Sequence, residues 1–285
     1  MLFRSEVSLG TTALALCAFC EYRRAADRKS FDDLIGRLGD FLRRMQKEDG
    51  SFHLRYLPEK AEPGGKEVST AQQRIESAQA ALGLALAYRE LRKPRFLLGA
   101  RNALSALDEL YQKESAKAAE PGAGVLWYTF ALREMFPALL VERYAESASR
   151  MAIDARQRQI GPHDALWPGL EGASAGAYPP QAGPTASDLG LFVAATEITR
   201  MGQSGESDNS AEHENLEAAR NAARFLLQMQ VTPRSGYFLP RRSAAFGGLL
   251  EETGSPVINS ATVHMALNGL TRLASLTNAG TDSKE

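Results

Sequence analysis

Cysteine is scarce in this 285-residue chain: Cys17 and Cys20 are its only two, too few for a disulfide framework. Charge of one sign is missing as well. With 33 Lys and Arg against 34 Asp and Glu, the net charge is −1, which excludes bulk electrostatic attraction to nucleic acid or to an anionic membrane. No apolar run is long enough to span a bilayer; Val7 to Cys20 is the best candidate and falls short. That run also makes a poor secretory signal. Arg4 precedes it, but Glu6 stands ahead of it, Glu21-Tyr22-Arg23-Arg24 behind it, and no small-x-small cleavage site follows. It reads as a core helix, and a cytoplasmic location is the expectation. Runs of alternating β-branched residues are nearly absent, and no stretch forms a stand-alone catalytic signature.

What is present is an ordinary globular composition, 44% hydrophobic and 24% charged, arranged with helical periodicity. Ala/Leu-rich stretches alternate with Gly/Pro-rich connectors, which predicts an all-α protein with helices over about 6–24, 30–47, 69–92, 95–117, 124–136, 138–158, 185–201, 211–230 and 258–276. Ser30 is a suitable N-cap, with Asp32 and Asp33 set to complement the helix dipole. Asp49-Gly50, Pro94 and Pro121-Gly122 mark breaks. The longest irregular stretch, 159–184, has the length of a functional loop. One domain over 1–276 is expected, followed by a disordered tail over 277–285. Cys17 and Cys20 fall three residues apart on a helix with apolar flanks. No second Cys pair and no βαβ pattern accompany them, so they read as structural thiols rather than a redox or zinc motif.

An internal repeat is the most informative pattern. Phe41-Leu42-Arg43-Arg44-Met45-Gln46 leads through Asp49-Gly50-Ser51-Phe52 into a loop, and Phe225-Leu226-Leu227-Gln228-Met229-Gln230 leads through Arg234-Ser235-Gly236-Tyr237-Phe238. Each copy then reaches a small-residue helix, beginning near Ser77-Ala78-Gln79 and near Ser260-Ala261-Thr262. Helices rich in small or apolar residues on most faces (6–24, 69–92, 124–136, 185–201, 258–276) alternate with helices polar on one face (30–47, 95–117, 138–158, 211–230). The alternation predicts stacked helical hairpins, five inner helices against four outer ones.

This pattern resembles the (α/α) toroid proteins, in which inner helices surround a funnel. The group includes terpene cyclases, protein prenyltransferases, lanthionine synthetase-like enzymes, and six-hairpin glycosidases, lyases and sugar epimerases. The two Met-Gln…Gly…aromatic turns carry the resemblance over nearly the whole chain. Nine helices fall short of the twelve in a closed six-hairpin ring, so the ring is open or is completed by a partner chain or a further segment. Most of the family chemistries lack their residues. No Asp-rich acid cluster occurs, no thioester motif occurs, and His53, His163, His213 and His264 are too scattered, with both Cys in one apolar helix, to hold zinc. No metal or cofactor is therefore expected. The sugar-active branch remains, implying an epimerase, lyase or hydrolase with a glycan in the funnel. The alternative is a non-catalytic toroid that binds a peptide, lipid or partner domain.

Sugar sites pair aromatic platforms with carboxylates and cations. Trp127 and Tyr128 open a predicted inner helix and are candidate platforms, with core packing as the competing role. His163-Asp164 and Trp167 lie in the long irregular loop, where function concentrates. Asp188 falls early in an inner helix, where a plain helix-dipole role competes. Glu76 and His264 occupy comparable places in the two repeat copies. Tyr237 and Arg241, in the loop after the second copy, are candidates for a ring face and for a carboxylate or sulfate. The expected acid/base pool is thus Glu76, His163, Asp188 and His264, and the expected binding set is Trp127, Tyr128, Trp167, Tyr237 and Arg241. Carboxylate spacing would separate retaining from inverting hydrolysis, and a His with a nearby acid would suit proton abstraction.

Overall fold

The structure, a computed structural model, describes residues 6–64, 69–115, 124–175, 179–202, 210–239 and 241–278. It divides into two compact units, Met1–Tyr144 and Ala145–Glu285. The Pro121-Gly122 break lies outside the described residues.

The first unit holds α1 (Leu9–Ala26), α2 (Asp32–Met45), α3 (Thr70–Leu91), α4 (Pro94–Ser115) and α5 (Val125–Leu139). Local chemistry sets these ends. Ser8 and Ser69 cap α1 and α3, their hydroxyls accepting from the amides of Thr11 and Gln72, which satisfies donors that a helix start leaves open. Ser30, the expected cap of α2, sits instead in a single 3-10 turn over Lys29–Phe31, and α2 begins at Asp32 with Asp32 and Asp33 in its first turn. Pro94 starts α4, where its missing N–H costs nothing. Among the described residues three short strands escaped the sequence pattern: β1 (Val7–Ser8), β2 (Arg55–Leu57) and β3 (Glu62–Pro63). They form one antiparallel sheet with Ser8 opposite Arg55 and Tyr56 opposite Pro63. Strands of two or three residues are too short to show a period.

Helices α1, α3 and α5 are inner neighbours, with α2 packed on α1 and α3, and α4 on α3 and α5. The small residues explain the layering. From Glu76 to Ala87 every residue of α3 is buried, because alanines and Gly83 let neighbouring helices approach from all sides. In contrast, α2 buries only the stripe Ile35, Gly36, Gly39, Leu42 and Met45, as an outer helix should.

The second unit takes up α6 (Glu142–Gln157), which begins at the end of the first, and continues with α7 (Ala182–Gly202), α8 (Ser210–Gln228), the four-residue α9 (Arg242–Ala245) and α10 (Ser260–Asn278). Helix α7 is inner by the same criterion, with its residues buried without a break from Asp188 to Thr196. It packs on both α8 and α10. Because α10 runs to Asn278, residues 277 and 278 are helical, and the rest of the expected tail lies outside the described residues.

The repeat is real, and it has three copies rather than two. In the first, Gln46 pairs with Phe52 across a tight turn, the His53 amide donates to the Met45 carbonyl, and the Gln46 side-chain amide donates to the carbonyls of Gly50 and Gly99. At the end of α6 the same bonds recur. Gln159 pairs with Ser174, the Ala175 amide donates to Arg158, and the Gln159 side chain donates to Gly172 and Ala218. At the end of α8, Gln230 pairs with Leu249 and the Leu250 amide donates to Met229. The turns close on Gly50, Gly172 and Gly247, all with φ near +85°, a conformation that favours glycine. The turn glycine of the third copy is thus Gly247. Gly236, which the sequence pattern pointed to, belongs to an inserted loop.

Candidate functional site

The inner-helix starts are held by carboxylates, from an inner helix (Glu76) in the first unit and from a loop (Glu251) in the second. On α3, Glu76 accepts from the Gly10 amide at 2.9 Å, from the Ser8 hydroxyl at 3.1 Å, from Gln72 at 2.9 Å and from Arg55 at 2.8 and 2.9 Å. Burial pushes its carboxyl up, but Arg55, the Gly10 amide and Gln72 outweigh that and hold it below the usual range. In the second unit the matching helix position is Thr262. Glu76 reaches Gly10, the second residue of α1, and Thr262 lies against Gly183, the second residue of α7. Thr262 donates at 2.9 Å to Glu251, a loop residue whose backbone carbonyl also accepts from Ala182. The counterpart of Glu76 is therefore Thr262 rather than His264, which is exposed on α10.

Asp188 differs from both. It is the buried seventh residue of α7. Burial raises its carboxyl to about 6, against the lowering influence of Arg158 and of a Ser174 hydrogen bond. The segment that covers it is the second turn of the repeat: the Ser174 amide donates at 3.0 Å to the Thr185 hydroxyl, which in turn donates to the Gln181 carbonyl at the start of α7. A carboxyl in this setting gives or takes a proton near neutrality, whereas the charge-paired Glu76 stays ionised.

The remaining candidates fall in several places. Tyr128 is fully buried, donates to Asp108 at 3.1 Å and packs on Tyr111 with ring centroids 5.0 Å apart. It ties α5 to α4 and offers no open ring face, so the packing role prevails over the platform expected for it. Trp127 beside it is half-buried, as is Trp167. His163 is exposed, and its neighbour Asp164 shapes a turn by accepting from the Leu166 amide at 2.9 Å. Tyr237 is 78% exposed, edge-on to Phe238 at 5.7 Å, and Arg241 is exposed before α9. Burial pushes the thiols of Cys17 and Cys20 far up, which removes them as nucleophiles. No group of three or more His, Cys, Asp or Glu able to hold a metal ion occurs among the described residues.

A charged cavity of about 470 Å³ lies in the first unit, between Arg23, Lys29, Asp32, Asp33, Glu90, Leu91 and Lys93. It sits at the far end of α3 from Glu76, and Arg23 there bridges Asp32 and Glu90. None of the expected site residues lines it. No helix among the described residues is long and apolar enough to cross a membrane.

No family model matches the sequence, and no curated protein matches it. Solved structures do. A sugar epimerase from a ruminal bacterium superposes with a TM-score of 0.63 at 11% identity, over 95% of this chain and 76% of that one. The cellobiose 2-epimerase of Spirochaeta thermophila superposes with a TM-score of 0.56 at 13% identity, over 95% and 72%. This chain has the (α/α) toroid fold. Identities this low carry the fold and no activity. Within that fold, the three Gln turns are the joints between outer and inner helices.

Sequence reading missed Arg158, Ser174 and Glu251. The signal for the first two was available in Arg158-Gln159…Gly172, but the outer-to-inner turn there is stretched, with 13 residues separating Gln159 from Gly172 where 4 separate Gln46 from Gly50.

Proposed function

We propose that this toroid acts on a glycan, in the manner of an epimerase, lyase or hydrolase, with Asp188 as its acid/base group. One observation supports this reading above the others. Asp188 is a buried carboxyl raised to about 6 near the start of an inner helix, in a fold whose solved neighbours are named as sugar epimerases. A carboxyl poised near the working pH suits proton transfer to or from a sugar oxygen or carbon. Glu76 is the weaker member of the acid/base pool, because its oxygens already accept five hydrogen bonds. His163 and His264 complete the pool as exposed groups. Trp167 and Tyr237 supply the ring faces, and Arg241 a surface cation.

The test is turnover of neutral and uronate-containing disaccharides, followed by NMR, for the wild type and for Asp188→Asn, Glu76→Gln, His163→Ala and His264→Ala made separately. Asp188→Asn is expected to lower kcat at least about a hundredfold while the protein keeps its fold. Unchanged turnover in that variant would remove Asp188 from the chemistry. Binding of a glycan with no turnover in the wild type would leave a glycan-binding toroid.

A further inference from the structure

The three turns of the repeat differ at two linked positions. Where the first copy has Met45 and Phe52, and the third has Met229 and Leu249, all buried and apolar, the second has Arg158 and Ser174. The backbone hydrogen bond that aligns Met45 with His53 aligns Arg158 with Ala175, so the guanidinium enters where two sister copies place a thioether plug. The Arg158 side chain is half-buried, yet its Nε and Nη2 atoms are both shielded and have no hydrogen-bond partner among the described residues. Leaving buried donors unmade is costly, and native folds rarely keep them without a use.

Those two atoms are not an arbitrary pair. They form the edge with which a guanidinium takes both oxygens of one carboxylate. The same chain shows the grip completed elsewhere: Arg23 donates from Nε and Nη2 to the two oxygens of Asp32, at 2.5 and 3.2 Å. On Arg158 that edge has no partner among the described residues, and the Arg158 charge and a Ser174 hydrogen bond both act on Asp188.

We infer that Arg158, with Ser174 and Asp188, is a carboxylate-binding subsite that selects an acidic sugar, a uronate, over its neutral counterpart. The inference rests on the glycan reading above and names the substrate class for the same end of α7. Ser174, which hydrogen-bonds Asp188, holds that acid in place at the subsite. Asp188 in its protonated form donates to the bound carboxylate instead of repelling it, so binding weakens as Asp188 ionises.

The experiment compares D-galacturonate with D-galactose, which differ by one carboxylate, by calorimetric titration of the full chain. The wild type is expected to bind galacturonate at least about tenfold more tightly, with the preference falling as pH rises through about 6. Arg158→Met is expected to abolish the preference, and Arg158→Lys to lose most of it, since an ammonium cannot make the two-point grip. Thermal unfolding separates binding from architecture: Arg158→Met melts at or above the wild-type temperature, because the other two copies carry Met there. Equal affinity for the two sugars, no measurable galacturonate binding, a preference that survives Arg158→Met, or a marked fall in that variant's melting temperature each overturns the subsite. Turnover of neutral glycans without any uronate preference would sink the subsite and leave the glycan reading intact. A uronate preference without turnover of any sugar would uphold the subsite and remove only the catalytic part of the glycan reading.

Discussion

The turns at Met45-Gln46 and Arg158-Gln159 share a backbone and oppose each other in chemistry. Both end an outer helix, both hang a glutamine amide on two carbonyls, and both close on a glycine under an asparagine carbonyl, Asn102 or Asn221. One then fills its interior with Met45 and Phe52. The other fills it with a cation, a hydroxyl and a protonatable acid. The hydrogen-bond frame therefore specifies the joint, and the side chains inside it are free to be plug or site. A frame that tolerates both is stabilised mainly by its backbone and its glutamine.

Exchanging the fillings should break the likeness most strongly. Met45→Arg places an unpaired guanidinium in a fully buried apolar position and should cost more than about 4 kcal/mol. Denaturant unfolding reads this directly, and a loss under about 1 kcal/mol would show that the first copy also has polar neighbours to offer.

The glycines give the next effect. A Cβ on Gly50 or Gly172 would overlap the carbonyl of Asn102 or Asn221, whereas a Cβ on Gly247 meets open space, though all three have the same positive φ. Gly172→Ala should therefore cost about 3 kcal/mol or more, and Gly247→Ala only the roughly 1–2 kcal/mol of the left-handed conformation. Equal melting shifts for the two would mean that the asparagine carbonyl yields easily.

Asp188→Asn sharpens the comparison at the acid. A carboxyl raised on folding is protonated in the native state while the unfolded chain has already lost its proton, between about pH 4 and 6. Its contribution is fully present below that window and is lost as pH rises through about 6. Asp188→Asn should thus stabilise the protein at pH 7.5 by on the order of 2 kcal/mol and leave it little changed at pH 4. Glu76 has the opposite sign. Its lowered carboxyl stabilises above the usual glutamate range, and that stability is lost on acidification. Unfolding curves of wild type and variant at the two pH values check the difference, and a gain independent of pH would assign it to packing.

Much of this fold was legible because alanine and leucine repeat at helical spacing, and among the described residues nine long helices lie within a few residues of where the periodicity puts them. Site chemistry was less legible for physical reasons. Tyr128 looked like a platform because sequence does not reveal that Asp108 receives its hydroxyl. Glu76 and Asp188 sit at the same distance into an inner helix, and only the partners brought from outside the helices, Arg55 for one and Ser174 with Arg158 for the other, separate a clamp from a proton carrier. Arg158 escaped notice because its copy of the turn is stretched and has lost the methionine that marks the other two.

That stretching has a consequence of its own. Gln159 and Gly172 fasten both ends of a segment more than three times as long as the one between Gln46 and Gly50, with the same bonds and the same glycine geometry. The joint behaves as a socket with fixed pins, into which new chain can be spliced without disturbing the helices it connects. Evolution, or an engineer, can rewrite what hangs there while inheriting the foundation intact.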